Sequence, residues 1–88
     1  MQEISQTYPT KGVLITEDPK NILAQNVKSL RQAAGLSQET LADRAGLHRT
    51  YVSSVERAQR NVSIENIYAL ASALGCDPRE LLKPLDED

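Results

Sequence analysis

The sequence predicts an all-α fold in which five short helices form one compact domain. Its 88 residues correspond to a single domain, since domains commonly run to about 100–150 residues. Aromatic residues make up only 3% of the chain, with neither Trp nor Phe. The core must therefore be built from Leu, Ile, Val and Ala, which suit packed helices better than sheets. Capping residues and glycines divide the chain into helical segments.

The first 18 residues form a polar segment before the helices. They carry Pro9 and Gly12 and one short apolar run at residues 13–15. We predict an N-terminal arm over residues 1–18, mostly disordered. A short strand over residues 12–16 that pairs with a partner subunit is the alternative, and the sequence does not decide between the two.

Two helices follow, each with a start and a stop signal. The first begins at Pro19, directly after the cap Asp18, and ends before Gly35, so it covers about residues 19–34. The second begins after the cap Ser37 and ends at Gly46, so it is only about eight residues long.

The third helix is short of core residues, and the fourth is rich in them. The third runs over about residues 48–58, with Val52 and Val55 facing inward. The fourth begins after Ser63, carries a wide apolar stripe and ends at Gly75.

A fifth helix is predicted from the cap Asp77 followed by Pro78, with an N3 Glu80 that completes a capping box. Its apolar residues are Leu81, Leu82 and Leu85. The folded domain is thus predicted over residues 19–85, with residues 86–88 as an acidic tail.

Charge is distributed unevenly along the chain. The net charge is -2, but residues 22–62 carry six positive and three negative side chains, whereas residues 63–88 carry two positive and six negative. An anion-binding face is therefore expected in the middle of the chain. The single Cys cannot form an intrachain disulfide, and no apolar run approaches 18 residues, so we expect a cytoplasmic protein that does not span a membrane.

Residues 38–57 have the pattern of two helices that cross closely at a short turn. Such a crossing requires a small contact residue, a turn that tolerates positive φ, and apolar residues on either side. Ala42 supplies the small contact and Gly46 the turn. The apolar positions are Leu41, Leu47, Val52 and Val55.

The residues from Leu36 to Arg57, together with the ALASALG string at 69–75, resemble the phage repressor/Cro-like (Xre) helix-turn-helix regulators. The resemblance covers about residues 20–84. The strings RTYVS, ER and RN within residues 49–61 are most similar to controller proteins of restriction–modification systems. The resemblance implies a lambda-repressor-like domain of about five helices that dimerises through its C-terminal helices.

The resemblance also implies that the third helix is a recognition helix, which lies in the major groove of DNA. The residues expected to read base edges are Arg49, Thr50 and Ser53, and the Arg49 fork matches the paired acceptors of guanine. The residues expected to contact the DNA backbone are Gln38, His48, Tyr51, Arg57, Arg60 and Asn61. His48 stands at the third helix's N-cap, where the family often has Asp, Ser or Thr. Tyr51 has an alternative role as a packing residue.

Two further sets of residues have structural roles. The resemblance pairs Arg31 with Glu56, an interaction that would orient the recognition helix. A small domain gains from additional burial, so we expect a homodimer. Its predicted interface residues are Ile67, Leu70, Leu74, Leu81, Leu82 and Leu85. The alternative is that these apolar stripes close the monomer's own core.

The predicted function is that of a homodimeric, sequence-specific transcriptional regulator that binds a palindromic operator in double-stranded DNA. An antitoxin is the alternative, in which residues 1–18 would neutralise a toxin partner. A helical protein-interaction module would require the third helix to be buried against protein. The sequence contains no nucleophile, base and orienter set for an enzyme, and its one His and one Cys predict no metal site and no cofactor.

Overall fold

Four α-helices and one 3₁₀ helix make up the regular structure of residues 18–85, the part of the chain that the computed structural model describes. The helices are α1 (Pro19–Ala33), α2 (Gln38–Ala45), α3 (Arg49–Glu56) and α4 (Ile64–Leu74), followed by the 3₁₀ helix Pro78–Leu81. The predicted all-α class is confirmed. The possible strand at 12–16, the rest of the arm up to residue 17 and the acidic tail at 86–88 lie outside these described residues.

Side-chain caps fix where three of the α-helices begin. Asp18, Ser37 and Ser63 each have extended backbone, and each side chain accepts a hydrogen bond from a backbone N–H two or three residues later. These bonds satisfy N–H groups that have no partner inside the helix. Helix α3 differs, because the side chain of its N-cap residue, His48, makes no such bond.

The predicted fifth helix is a single 3₁₀ turn. Asp77 caps it as expected, but Leu82 and Leu85 lie beyond its end. The reason is Pro84, which has no N–H to donate, whose ring would clash with a carbonyl of the preceding turn, and which disfavours helical backbone at Lys83. Residues 18–85 therefore contain four α-helices where the sequence predicts five.

The core draws on every helix. Its buried side chains are Leu23, Val27, Leu41, Ala42, Val52, Val55, Leu70, Ala71 and Leu81. Leu70 and Leu81 are 0% exposed within this one chain. Their assignment to a dimer interface is therefore corrected, because side chains already covered inside the monomer offer no surface to a partner. The alternative that the stripes close the monomer's core thus holds for these two positions.

A side chain of α1 ties the C-terminal segment to the bundle. The amide Nδ2 of Asn26 donates to the carbonyls of Leu81 and Lys83, at 2.9 Å in each case. These bonds satisfy carbonyls where the 3₁₀ helix ends. Along the described residues no helix combines the length and apolar character needed to cross a membrane.

Candidate nucleic-acid interface

The crossing of α2 and α3 is the framework of the candidate site. Gly46 ends α2 with φ of +71°, a left-handed conformation that glycine adopts without a Cβ penalty. The N–H of Leu47 then donates to the carbonyl of Ala42 at 2.8 Å and closes the turn. Ala42 is buried in the same core cluster as Val52 and Val55, so its small side chain lets the two helices approach closely.

Helix α3 has one buried face and one exposed face. Val52 and Val55 are 0% and 2% exposed and anchor the helix to the core. Arg49 and Thr50, in the first turn, are exposed. Ser53 follows Arg49 by four residues and therefore lies on the same side of the helix. The predicted base-reading residues thus lie within the first five residues of one short, firmly anchored helix.

The N-terminus of α3 is open to an external acceptor. His48 is exposed, its side chain does not cap the helix, and the first turn has no acidic residue. Free N–H groups and the positive end of the helix dipole at such a terminus favour an anion such as a DNA phosphate.

An ion-pair network fixes the other end of α3. Arg31 of α1 donates from Nε to Glu56 Oε2 at 2.7 Å and from Nη2 to Glu56 Oε1 at 3.1 Å, and from Nη1 to the carbonyl of Leu36 at 2.8 Å. The Gln38 amide, at the start of α2, donates to Glu56 Oε1 at 3.0 Å. The Arg31 and Glu56 side chains are 12% and 3% exposed. The network joins α1, α2 and α3, and any contact of Gln38 with DNA must coexist with this bond.

Arg57 is held beside the exposed face of α3. Its Nη1 donates to the hydroxyl of Ser53, and its Nε donates to the amide oxygen of Gln59 at 3.2 Å. Arg57 and Gln59 are both exposed. Two predicted DNA contacts, Ser53 and Arg57, are therefore partners of each other in the free protein.

Tyr51 and Arg60 form a second group, on the α4 side. The Tyr51 hydroxyl accepts a hydrogen bond from Asn66 Nδ2 at 3.0 Å, and the guanidinium carbon of Arg60 lies 5.3 Å from the centre of the Tyr51 ring. Arg60 Nε also donates to the Ser54 hydroxyl at 2.9 Å. Tyr51 is half-buried, so it packs and also presents a polar edge.

The chain leaves α3 through a strained turn. Ala58 has φ of +61°, which costs a residue with a Cβ about 1–2 kcal/mol. The N–H of Gln59 donates to the carbonyl of Ser54 at 3.0 Å, so the turn closes as a glycine turn would. Arg60 and Asn61, both exposed, follow directly after this turn.

Sequence reasoning did not find Ser54, Gln59 or Asn66, all of which hold predicted site residues. Ser54 had a signal, because it is a polar residue on the apolar side of α3, between two valines. Gln59 and Asn66 had none, since both stand where an exposed polar residue is ordinary.

Residues 18–85 give little indication of a metal site or of a reactive cysteine. No group of three or more His, Cys, Asp or Glu side chains lies close enough there to hold a metal ion. Burial, together with the nearby carboxylates of Glu80 and Asp77, raises the pKa of the Cys76 thiol above its usual value. A raised pKa keeps the thiol protonated and weakly nucleophilic, which fits a packing role.

An apolar surface lies away from α3, on α4 and the 3₁₀ helix. Ile64 and Tyr68 are each 59% exposed, and Leu82 is 52% exposed. They line a shallow groove of about 350 Å³ together with Ile67, Asp77, Pro78 and Arg79. We call these seven residues the α4 surface. Ile67 and Leu82 were predicted for a partner interface, whereas Ile64 and Tyr68 were not.

The sequence is similar to those of known proteins. The helix-turn-helix family model HTH_3 matches residues 27–81. Control protein C.SmaI of Serratia marcescens is 52% identical over 65 residues, 74% of this chain and 77% of that protein. Control protein C.BamHI of Bacillus amyloliquefaciens is 42% identical over 69 residues, 77% of this chain and 85% of that protein.

Among solved structures, the restriction-modification controller protein C.AhdI from Aeromonas hydrophila matches with a TM-score of 0.69 at 56% identity, over 70% of this chain and 94% of that chain. The resemblance seen in the sequence is confirmed, and the matching family is one of regulators, not of enzymes. The chain therefore belongs to the HTH_3 helix-turn-helix family of DNA-binding transcriptional regulators.

Proposed function

We propose that the protein is a homodimeric controller of restriction–modification genes that binds an inverted-repeat operator with α3 in the major groove. The observation that carries this proposal is the construction of α3, a helix with two fully covered valines behind it and an exposed Arg49 and Thr50 in front. Recognition helices of this kind present their N-terminal residues to base edges.

Base reading is assigned to Arg49, Thr50 and Ser53, and backbone contact to the residues around them. The backbone set is Gln38, His48, Tyr51, Arg57, Arg60 and Asn61. The positive charge of residues 22–62 supplies the attraction to phosphate, while the net charge of -2 keeps binding to unrelated DNA weak. Such a protein works in the bacterial or phage-infected cytosol, in contact with the nucleoid.

Dimerisation is assigned to the α4 surface, paired with the same surface of a second copy. Ile64, Tyr68 and Leu82 bring large apolar side chains together, which is unusual for a face that stays in water. The half-buried Leu74 and Leu85 extend this set. A twofold axis there would separate two recognition helices by about one DNA turn.

The antitoxin alternative is not favoured, because the similar proteins are named control and controller proteins. A protein-interaction module has no observation of its own in its favour, because the exposure of Arg49, Thr50 and Arg57 suits DNA contact equally well.

Selection of random duplexes by the purified protein tests the DNA-binding proposal. The expected product is an inverted repeat with half-sites about 10 bp apart, centre to centre. Arg49→Ala should weaken binding to that duplex by about 1–3 kcal/mol and relax the preference at one base pair of each half-site. Equal affinity and unchanged preference in the variant would remove Arg49 from the base-reading set.

Analytical ultracentrifugation tests the dimer. The wild type should sediment as a dimer at micromolar concentration, and Tyr68→Asp should sediment as a monomer with unchanged helix content, because a charge would be buried in the paired surface. Ser29→Asp, at an exposed position of α1 and therefore on a different helix from Tyr68, is the control for an added surface charge and should remain dimeric. If Tyr68→Asp remains a dimer, the interface does not include Tyr68 and must lie on another surface.

A further inference from the structure

Ser54 is a polar residue at a place where an apolar one would pack equally well. It lies on the buried side of α3, 7% exposed, between Val52 and Val55. A hydroxyl removed from water is costly unless its hydrogen-bonding capacity is used. Alanine would fill this position without that cost, so the hydroxyl calls for an explanation.

Both hydrogen-bonding capacities of the Ser54 hydroxyl are used. Oγ donates to the carbonyl of Tyr51 at 2.7 Å and accepts from Arg60 Nε at 2.9 Å. The first bond is the ordinary backbone contact of a serine within a helix. The second reaches six residues along the chain, past the end of α3, and engages a charged side chain.

Arg60 is thereby held at two points. Ser54 binds its Nε, and its guanidinium carbon lies 5.3 Å from the centre of the Tyr51 ring. Within the described part of the chain, its terminal nitrogens Nη1 and Nη2 have no hydrogen-bond acceptor. The Nε edge of the guanidinium is therefore fixed by Ser54. Because the side chain is exposed, Nη1 and Nη2 keep their donors available to an external acceptor.

We propose that Ser54 is a positioning residue for DNA binding, which holds the Arg60 guanidinium against Tyr51 in the orientation that engages a phosphate beside α3. This inference rests on the proposed function. Its physical basis is preorganisation, because an arginine already fixed in its binding conformation loses less side-chain freedom when it meets DNA. The Ser54 hydroxyl itself does not touch the DNA.

A double-mutant cycle on DNA affinity tests the proposal. The probe is a fluorescent 30-bp duplex recovered by selection with the wild-type protein. It is titrated, at a series of NaCl concentrations, with four proteins: wild type, Ser54→Ala, Arg60→Ala and the double variant. Ser54→Ala should weaken binding about twofold to tenfold, as expected when one flexible side chain must be immobilised on binding. In the Arg60→Ala background the same substitution should have no effect.

The salt dependence supplies the readout that a purely structural role would not change. Loss of one phosphate contact lowers the slope of log affinity against log salt by about 0.9. Ser54→Ala should lower the slope toward that of Arg60→Ala, although it removes no charge. Equal losses in both backgrounds, or a wild-type slope in Ser54→Ala, would overturn the proposal.

Ser72→Ala, at an exposed position on α4, is the matched control and should bind as the wild type does. Should Ser54→Ala fail to fold, Arg60→Lys replaces it, since lysine keeps the charge but lacks the Nε donor and the planar fork. If Arg60→Lys loses as much DNA affinity as Arg60→Ala does, the positioning role of Ser54 is supported. If Arg60→Lys keeps wild-type affinity, that role is refuted. If the wild type selects no duplex, the proposed function falls and this inference with it; a selected duplex without coupling refutes the inference alone.

Discussion

Removal of the Glu56 carboxylate should destabilise the protein strongly, because this charge lies at the centre of a largely buried network. Glu56 accepts two hydrogen bonds from Arg31 and one from Gln38, and its side chain is only 3% exposed. In Glu56→Ala the Arg31 guanidinium, 12% exposed, would keep its charge without its carboxylate partner.

Breaking a buried pair from one side costs about 3–5 kcal/mol, because the remaining charge stays desolvated. A small domain has about 5–15 kcal/mol of total stability, so this is a large share. At about 4–8 °C per kcal/mol, the midpoint of thermal unfolding should fall by about 12–40 °C.

Urea unfolding followed by far-UV circular dichroism measures the effect. Glu39→Ala is the matched control, since Glu39 is an exposed carboxylate in the first turn of α2, and it should change the free energy of unfolding by less than about 1 kcal/mol. The paired replacement Arg31→Met with Glu56→Met should cost less than Glu56→Ala alone, because it leaves no buried charge. A loss below about 1 kcal/mol in Glu56→Ala, or a double variant as unstable as the sum of its singles, would refute a stabilising role for the buried pair.

Three further outcomes are expected. Arg57→Ala should weaken binding to all duplexes alike and lower the salt slope by about 0.9, and an unchanged slope in titrations would exclude a phosphate contact. Ala58→Gly should stabilise the protein by about 0.5–1 kcal/mol, as measured by thermal unfolding, because glycine relieves the left-handed strain but loses part of that gain to the entropy of the unfolded chain. Ala34→Gly, at φ of -84°, is the control and should not stabilise the protein. The side-chain and backbone hydrogen bonds from Arg79 hold the pKa of Asp77 below its ordinary 3.8, so the stability from this carboxylate is present above that pH and is lost as the pH falls below it. The difference in stability between wild type and Asp77→Asn should therefore shrink in acid, and a pH-independent difference would contradict this assignment.

Local signals predicted most of the fold because each acts over a few residues. Ser37 and Ser63 cap their helices, and Gly46 and Gly75 end theirs with positive φ, as the sequence indicates. The fifth helix failed for an equally local reason, since Pro84 prevents its continuation.

Periodicity does not distinguish a core from a partner surface, because both require apolar side chains. Leu70 and Leu74 recur on the same helical stripe, yet Leu70 is fully covered within the monomer and Leu74 only half-covered. Only the packing of the other helices decides how far each is covered. Tyr68, which the stripe omitted, is among the most exposed apolar residues described.

The sequence pattern located the candidate site on α3 but did not show the state of its side chains. Arg57 bonds to Ser53 and Gln59, and Arg60 bonds to Ser54, in the free protein. These contacts depend on the turn at residue 58, where alanine gives no sign of the left-handed backbone that a glycine would have indicated.

The two hydrogen bonds of Asn26 have a consequence for how this protein can diverge. Asn26 binds main-chain carbonyls at Leu81 and Lys83, so the tie between α1 and the C-terminal segment is indifferent to side-chain identity at residue 83 and at the neighbouring Leu82. Substitutions at these exposed positions can remodel the outer surface without loosening the bundle. Related regulators can thereby differ on this outer surface while keeping a common scaffold for α3.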